Sequence, residues 1–137
     1  MNSDEDIVIT SAFRTPIGSF QGCLKDHKAT ELGTAVIKKC LEHSNLTGSE
    51  VDTVILGQVL QTGCGQNPAR QAAINSGIDK DKTATTINQV CGSGLASVTL
   101  GYNSLKLNDT NIVIAGGQES MTNSPHYLNY RMEKNLS

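Results

Sequence analysis

No apolar run in the 137 residues approaches the roughly 20 that a membrane-spanning helix needs, so no span and no membrane association are expected. The opening Met1-Asn2-Ser3-Asp4-Glu5-Asp6 is acidic and has no apolar core. That speaks against a secretory signal or an arginine-rich transit peptide, and a cytoplasmic location is the expectation. Charge is nearly balanced at a net −2, which leaves no basic patch for nucleic acid. The cysteines, at 23, 40, 64 and 91, form no C-x-x-C pair and have no histidine at ligand spacing. Neither zinc nor a redox dithiol is signalled, no metal site is expected, and free thiols are the better reading. No Gly-Lys-Ser/Thr phosphate loop occurs.

What remains is an ordinary α/β composition of one domain's length: 37% apolar, 18% charged, 13 glycines and no tryptophan. Within it one uncharged stretch, Thr83 to Leu105, stands out. It passes from a β-branched run, through Cys91 between Val90 and Gly92, into a helical pattern. A thiol at a helix start meets first-turn N–H groups without intrahelical partners and the positive end of the dipole, both favouring the thiolate. Gly92 and Gly94 permit a sharp turn and close approach of a substrate to the backbone. Cys91 is therefore a candidate nucleophile; the competing reading is a buried, inert cysteine. Two other motifs fail here. Gly92-Ser93-Gly94-Leu95-Ala96-Ser97 misses the third glycine of a dinucleotide fingerprint, and no glycine precedes Cys91 by two residues as in a hydrolase nucleophile elbow.

Taken in order, Ile7-Val8-Ile9 predicts a strand to about Phe13, ended by the turn at Arg14-Thr15-Pro16-Ile17-Gly18. A loop to about Lys28 gives way to a helix from Ala29, with Leu32, Ala35, Val36 and Cys40 on its apolar stripe and Asn45 and Gly48 at its end. Val54-Ile55-Leu56 with Val59-Leu60 predicts a strand covered on both faces. After the glycine-spaced loop at Gly63 and Gly65, Asn67 is an N-cap and Pro68 the first residue of a short helix closed by Gly77. Thr83–Val90 predicts a strand, followed by the Cys91 turn, a helix to about Leu107, a turn at Asn108-Asp109 and a strand over Ile112–Ala115. The order β-α-β-α-β-α-β predicts an open, mostly parallel sheet with right-handed crossovers and helices on both faces. Ligands bind such sheets off the carboxyl ends of the strands, where Cys91 falls.

The helix after Cys91 is uncharged until Lys106. Gly94, Ser97 and Gly101 share one side, while Leu95, Val98, Tyr102 and Leu105 share another. A helix polar on no face is usually buried all round, yet one sheet covers only one side. Something else then covers it, a second subunit or protein outside this chain, unless Thr99, Asn103 and Ser104 suffice as a solvated face.

Asn88-Gln89-Val90-Cys91-Gly92-Ser93-Gly94-Leu95 resembles the nucleophile segment of thiolases, and Ile114-Ala115-Gly116-Gly117-Gln118-Glu119-Ser120-Met121 resembles their following strand and loop. Val8–Phe20 and the stretch from Ile55 to Gln71 match in the same order, so the resemblance covers essentially the whole chain. Within the family the segments are most like those of acetyl-CoA C-acetyltransferases. The resemblance implies half of a five-layer αβαβα architecture, with residues 1–119 an incomplete N-terminal domain and 120–137 the start of a truncated loop domain.

It also implies a chemistry: Cys91 takes an acyl group from acetyl-CoA as a thioester, and a second acetyl-CoA attacks it to give acetoacetyl-CoA, or the reverse cleavage occurs. The Cys91 backbone N–H would help hold the oxyanion. Coenzyme A thioesters are then substrates, and no cofactor is permanently bound. The family's catalytic histidine in a Gly-His-Pro segment and its second, acid/base cysteine have no counterpart in these residues. The implied partners are acetyl-CoA and acetoacetyl-CoA, with either a homo-oligomer or a complementary C-terminal thiolase half. The alternative is a catalytically inactive module that acts through self-association or partner binding. His27, His43 and His126 are expected at loops and a helix end, Cys23, Cys40 and Cys64 as structural residues, Arg70 as an interface or packing residue rather than a phosphate contact, and Glu119 as an ion pair, a cap, or a buttress of the Cys91 turn.

Overall fold

The computed structural model of the chain describes residues 6–128. Its elements are α1 (Ala29–Ser44), β1 (Thr53–Gly57), α2 (Pro68–Ser76), β2 (Thr83–Ile87), α3 (Ser93–Lys106) and β3 (Val113–Gly117). The three strands form one parallel sheet in the order β2-β1-β3. Val54 lies beside Ala84 and Ile114, and Ile55 beside Thr85 and Ala115. Alternate side chains leave a strand on opposite faces, so this register sorts the sheet into two surfaces. Val54 and Leu56, with Ala84 and Ile114 partly buried, pack against Ile37 and Leu41 of α1 and Ala69, Ala72 and Ala73 of α2. On the other face Gly101 of α3 rests against Val113 and Ala115. β1, central and covered from both sides, is buried along its whole length. The expected α/β class, an open parallel sheet with helices on both faces, is the observed one.

Local sequence sets the helix ends. The Asn67 side chain accepts the Arg70 N–H at 3.2 Å, Pro68 opens α2, and Gly77 closes it at φ 98. Asn45 closes α1 in the left-handed region at φ 53, and Asn108 turns the chain after α3 at φ 57. At the foot of the sheet, Asp52 accepts N–H bonds from Asn111 at 2.7 Å and Ile112 at 3.1 Å, fixing the entry to β3.

Three expectations need correction. The strand over Ile7–Phe13 is not formed: among the described residues that stretch has no regular structure, and the observed order begins with α1. A cavity of about 480 Å³ is lined by Ile7–Phe13 together with residues of α1, α3 and Ile112–Gly117, and the stretch pairs with no strand of the sheet. The buried face of α1 is Gly33, Ile37 and Leu41, one position round from the expected stripe, and Ala35 is exposed. The missing Gly33 side chain leaves room for Gln118, which a β-carbon there would overlap, and Ala72 of α2 lies at ordinary contact distance, 3.4 Å from where that carbon would be. β2 ends at Ile87, short of Val90, because the chain turns at Asn88; Val59 and Leu60 likewise lie beyond β1.

The polar text after Ser120 is held to the loop before α1, where Asn123 donates to the Lys25 and His27 carbonyls, both at 2.9 Å. The acidic start through Glu5 and the 129–137 part of the expected loop-domain segment lie outside the described residues. Among the described residues no helix is long and apolar enough to cross a membrane.

Candidate active site

β2 delivers the chain to a tight turn that precedes α3, and Val90 is the strained residue in it. Its φ of 51 places a β-branched side chain in the left-handed region, at a cost of about 1–2 kcal/mol. Both of its polar groups are held by side chains. The Val90 N–H donates to Asn88 Oδ1 at 2.9 Å, and the Val90 carbonyl accepts from Ser93 Oγ at 2.6 Å. The same Ser93 oxygen accepts the Gln89 N–H at 2.8 Å. Cys91 follows directly, exposed and unbridged rather than buried.

The helix proper begins two residues later, with Gly92 as an N-cap that makes no side-chain cap bond. The N–H groups of Gly92 and Ser93 are already taken by the carbonyls of Gln89 and Val90, both at 3.1 Å. The turn therefore uses part of the donor set that a bare helix start would leave free.

Glycines fix where this turn sits. A β-carbon on Gly57, the last residue of β1, would lie 2.5 Å from the Ser93 β-carbon, and one on Gly117, at the end of β3, would lie 3.3 Å from the Gly94 Cα. The start of α3 thus rests on bare backbone at the carboxyl ends of β1 and β3. Ser93, Ser97 and Gly101 form the buried ridge of the helix, and Ser97 Oγ donates to the Gly116 carbonyl at 2.7 Å.

Behind the turn lies a polar layer that composition and periodicity did not signal. Glu119 accepts the N–H groups of Val59 at 2.9 Å and Leu60 at 3.1 Å. It clamps backbone rather than pairing with a cation. Asn88 Nδ2 in turn donates to the Val59 carbonyl at 3.4 Å, linking that clamp to the Cys91 turn. Gln58 and Gln118 are buried together, with Gln118 Nε2 donating to Gln58 Oε1 at 2.8 Å. Asn88, Ser93, Gln58 and Gln118 were not singled out as functional from the residues. The one available signal was the high density of short polar side chains next to the strand ends.

The remaining candidates sit apart from Cys91. Cys64 is half-buried beside Gln58 Nε2 at 3.3 Å, Cys40 lines the large cavity under α1, and Cys23 is exposed in its loop. His27 lies 3.8 Å from Glu31, His43 meets Phe13 edge-on at 5.2 Å between ring centres, and His126 is exposed. Arg70 donates to the Lys80 and Lys82 carbonyls, tying α2 to the approach to β2, the packing role expected of it.

The other side of α3 is open. Leu95 is 75% exposed, Tyr102 48% and Val98 41%, with the polar Thr99 and Asn103 among them. The helix lays its small residues on the sheet and turns large apolar ones outward.

Comparison with known proteins bears on this arrangement. The sequence model described as "Thiolase, N-terminal domain" matches residues 7–137. A probable acetyl-CoA acetyltransferase of Escherichia coli strain K12 is 51% identical over 124 residues, which is 90% of this chain and 32% of that protein. A probable acetyl-CoA acyltransferase of Staphylococcus epidermidis strain RP62A is 53% identical over 122 residues, 89% of this chain and 31% of that protein. Among solved structures, the Acat5 thiolase from Ascaris suum in complex with coenzyme A aligns with a TM-score of 0.82 at 41% identity, covering 84% of this chain and 30% of that one. The chain spans about a third of the length of the curated relatives it matches.

Proposed function

The chain belongs to the thiolase family, and on that premise we propose that it carries the acyl-accepting cysteine, Cys91, of an acetyl-CoA acetyltransferase. The observation that supports this best is the placement of Cys91: exposed, directly after a strained residue, ahead of a helix seated on the carboxyl ends of the strands. In the proposed reaction the Cys91 thiolate attacks the carbonyl carbon of acetyl-CoA. The oxyanion that forms is held in part by the Cys91 backbone N–H, and its collapse expels coenzyme A as the thiolate and leaves acetyl-Cys91. A second acetyl-CoA loses an α-proton to a base, and its carbanion attacks the thioester. Acetoacetyl-CoA leaves and the Cys91 thiolate is restored; thiolysis is the same path reversed.

The proton-transfer groups lie outside these residues. General acid–base help is worth about 10²–10⁴-fold per group, so this chain alone is expected to acylate slowly and scarcely turn over. The test is intact-protein mass after incubation with acetyl-CoA, with and without the remainder of a thiolase. Gain of one acetyl group, absent in Cys91→Ala, is the expected result; no gain in either mixture overturns the reading.

A second reading, a module that acts only by association, is favoured by the outward apolar face of α3. Its proposed partners are a second copy of the chain or a complementary C-terminal half. The two readings separate on Cys91→Ala: the first predicts loss of acetyl transfer, the second no change in any measurable property.

A further inference from the structure

We infer that Asn88 and Ser93 are positioning residues that clamp Val90 in its left-handed conformation and thereby present the Cys91 thiol; this rests on the reading of Cys91 as the reacting group. Val90 is 66% exposed, so its side chain gains little from packing and nothing apolar holds it at φ 51. The restraint comes from polar contacts on either side of the residue. Asn88 Oδ1 takes its N–H at 2.9 Å, an Asx-type turn, while Ser93 Oγ gives its proton to the Val90 carbonyl at 2.6 Å. Ser93 is 4% exposed and seated against Gly57, and its oxygen also receives the Gln89 N–H, so its one donor and one of its two acceptor sites go into the turn. Asn88 is anchored from behind through the Val59 carbonyl. The two side chains therefore hold both ends of the one residue whose backbone preference opposes the turn, and Cys91 is the next residue along.

The role is distinguishable from general structural support, because what it opposes is a single torsion preference. Glycine takes positive φ without penalty. Replacing Val90 by glycine should thus make the clamp dispensable, which it would not do if Asn88 and Ser93 merely stabilised the fold.

The experiment measures iodoacetamide alkylation of Cys91 by mass spectrometry in the 137-residue chain, with the exposed Cys23 of the same molecule as internal reference. Asn88→Ala and Ser93→Ala should each change the Cys91-to-Cys23 rate ratio by about five- to thirtyfold, downward, the population change expected on losing a hydrogen bond of this kind. Adding Val90→Gly to either variant should return the ratio to within about twofold of the wild type. An unchanged ratio in the single variants overturns the inference, and so does a fallen ratio that Val90→Gly fails to restore. Should the buried Ser93→Ala variant not fold, the exposed Asn88 carries the same test alone. Alkylation requires no acyl transfer, so failure of the proposed function and failure of the clamp give separate signatures.

Discussion

Gly57, the last residue of β1, touches Ser93, the first residue of α3, so closely that no other side chain fits between them. A β-carbon there would stand 2.5 Å from both the Ser93 β-carbon and its carbonyl carbon. Gly57→Ala should therefore lift the start of α3 off the sheet, at about 1–3 kcal/mol by urea unfolding, the usual cost of overpacking. The same variant should lose acetyl transfer to Cys91 even at temperatures where it remains folded. Wild-type stability and wild-type acylation together would show that the contact is incidental.

Glu119 holds two backbone N–H groups of the turn after β1. Glu119→Ala leaves both without an acceptor in a half-buried position, and a loss of about 1.5–3 kcal/mol is expected in chemical denaturation. A loss under about 0.5 kcal/mol would mean that water replaces the carboxylate without cost.

The N–H bond from Asn111, and next that from Ile112, holds the Asp52 carboxyl below its ordinary range. The folded value is depressed, so the contribution to stability is complete above the unfolded carboxylate pKa, near 4. It is lost as pH falls through that value and on through the lower folded one. Asp52→Ala should accordingly flatten the acid limb of the stability–pH curve and cost about 1 kcal/mol at neutral pH, little because the group is near solvent. Equal acid sensitivity in variant and wild type would contradict this.

Cys91→Ala should abolish acetyl incorporation while moving the unfolding free energy by no more than about 0.5 kcal/mol, since the side chain is exposed. Destabilisation well beyond that would instead point to a packing role for the thiol.

Leu95→Lys together with Tyr102→Lys tests the outward face of α3. Sedimentation velocity should show weaker self-association, or weaker capture of a complementary thiolase half, without loss of helical signal. Unaltered association would move the contact to another surface, such as the free edge of β2.

Much of this was readable from the residues because the signals were local. Asn67-Pro68 and Gly77 bound α2, Asn45 closes α1, and the apolar run at Val54–Leu56 became a strand buried on both faces. The location of Cys91 beyond the strand ends followed from the alternation of elements. What was missed depends on contacts between distant residues. Ile7–Phe13 has the composition of a strand, but a strand needs a paired neighbour as well, and the described sheet is β2-β1-β3 alone. The buried Gly33 of α1 faces the Gln118 side chain, which leaves no room for a β-carbon there, a contact between distant residues that no helical period encodes. The grip of Asn88 and Ser93 on Val90 was equally hidden, because a positive φ at a valine runs against its own preference. For Glu119 a cap or buttress was among the expected roles, but its partners required knowing that residues 59 and 60 fold back beside it.

The inverted dressing of α3, small residues inward and Leu95, Val98 and Tyr102 outward, has a practical consequence for any work on this chain by itself. Environment-sensitive dyes such as ANS, whose fluorescence ordinarily reports loosened packing, should light up on the fully folded protein. Melting curves followed by such dyes will start from a bright baseline, and circular dichroism is the sounder readout of this chain's stability.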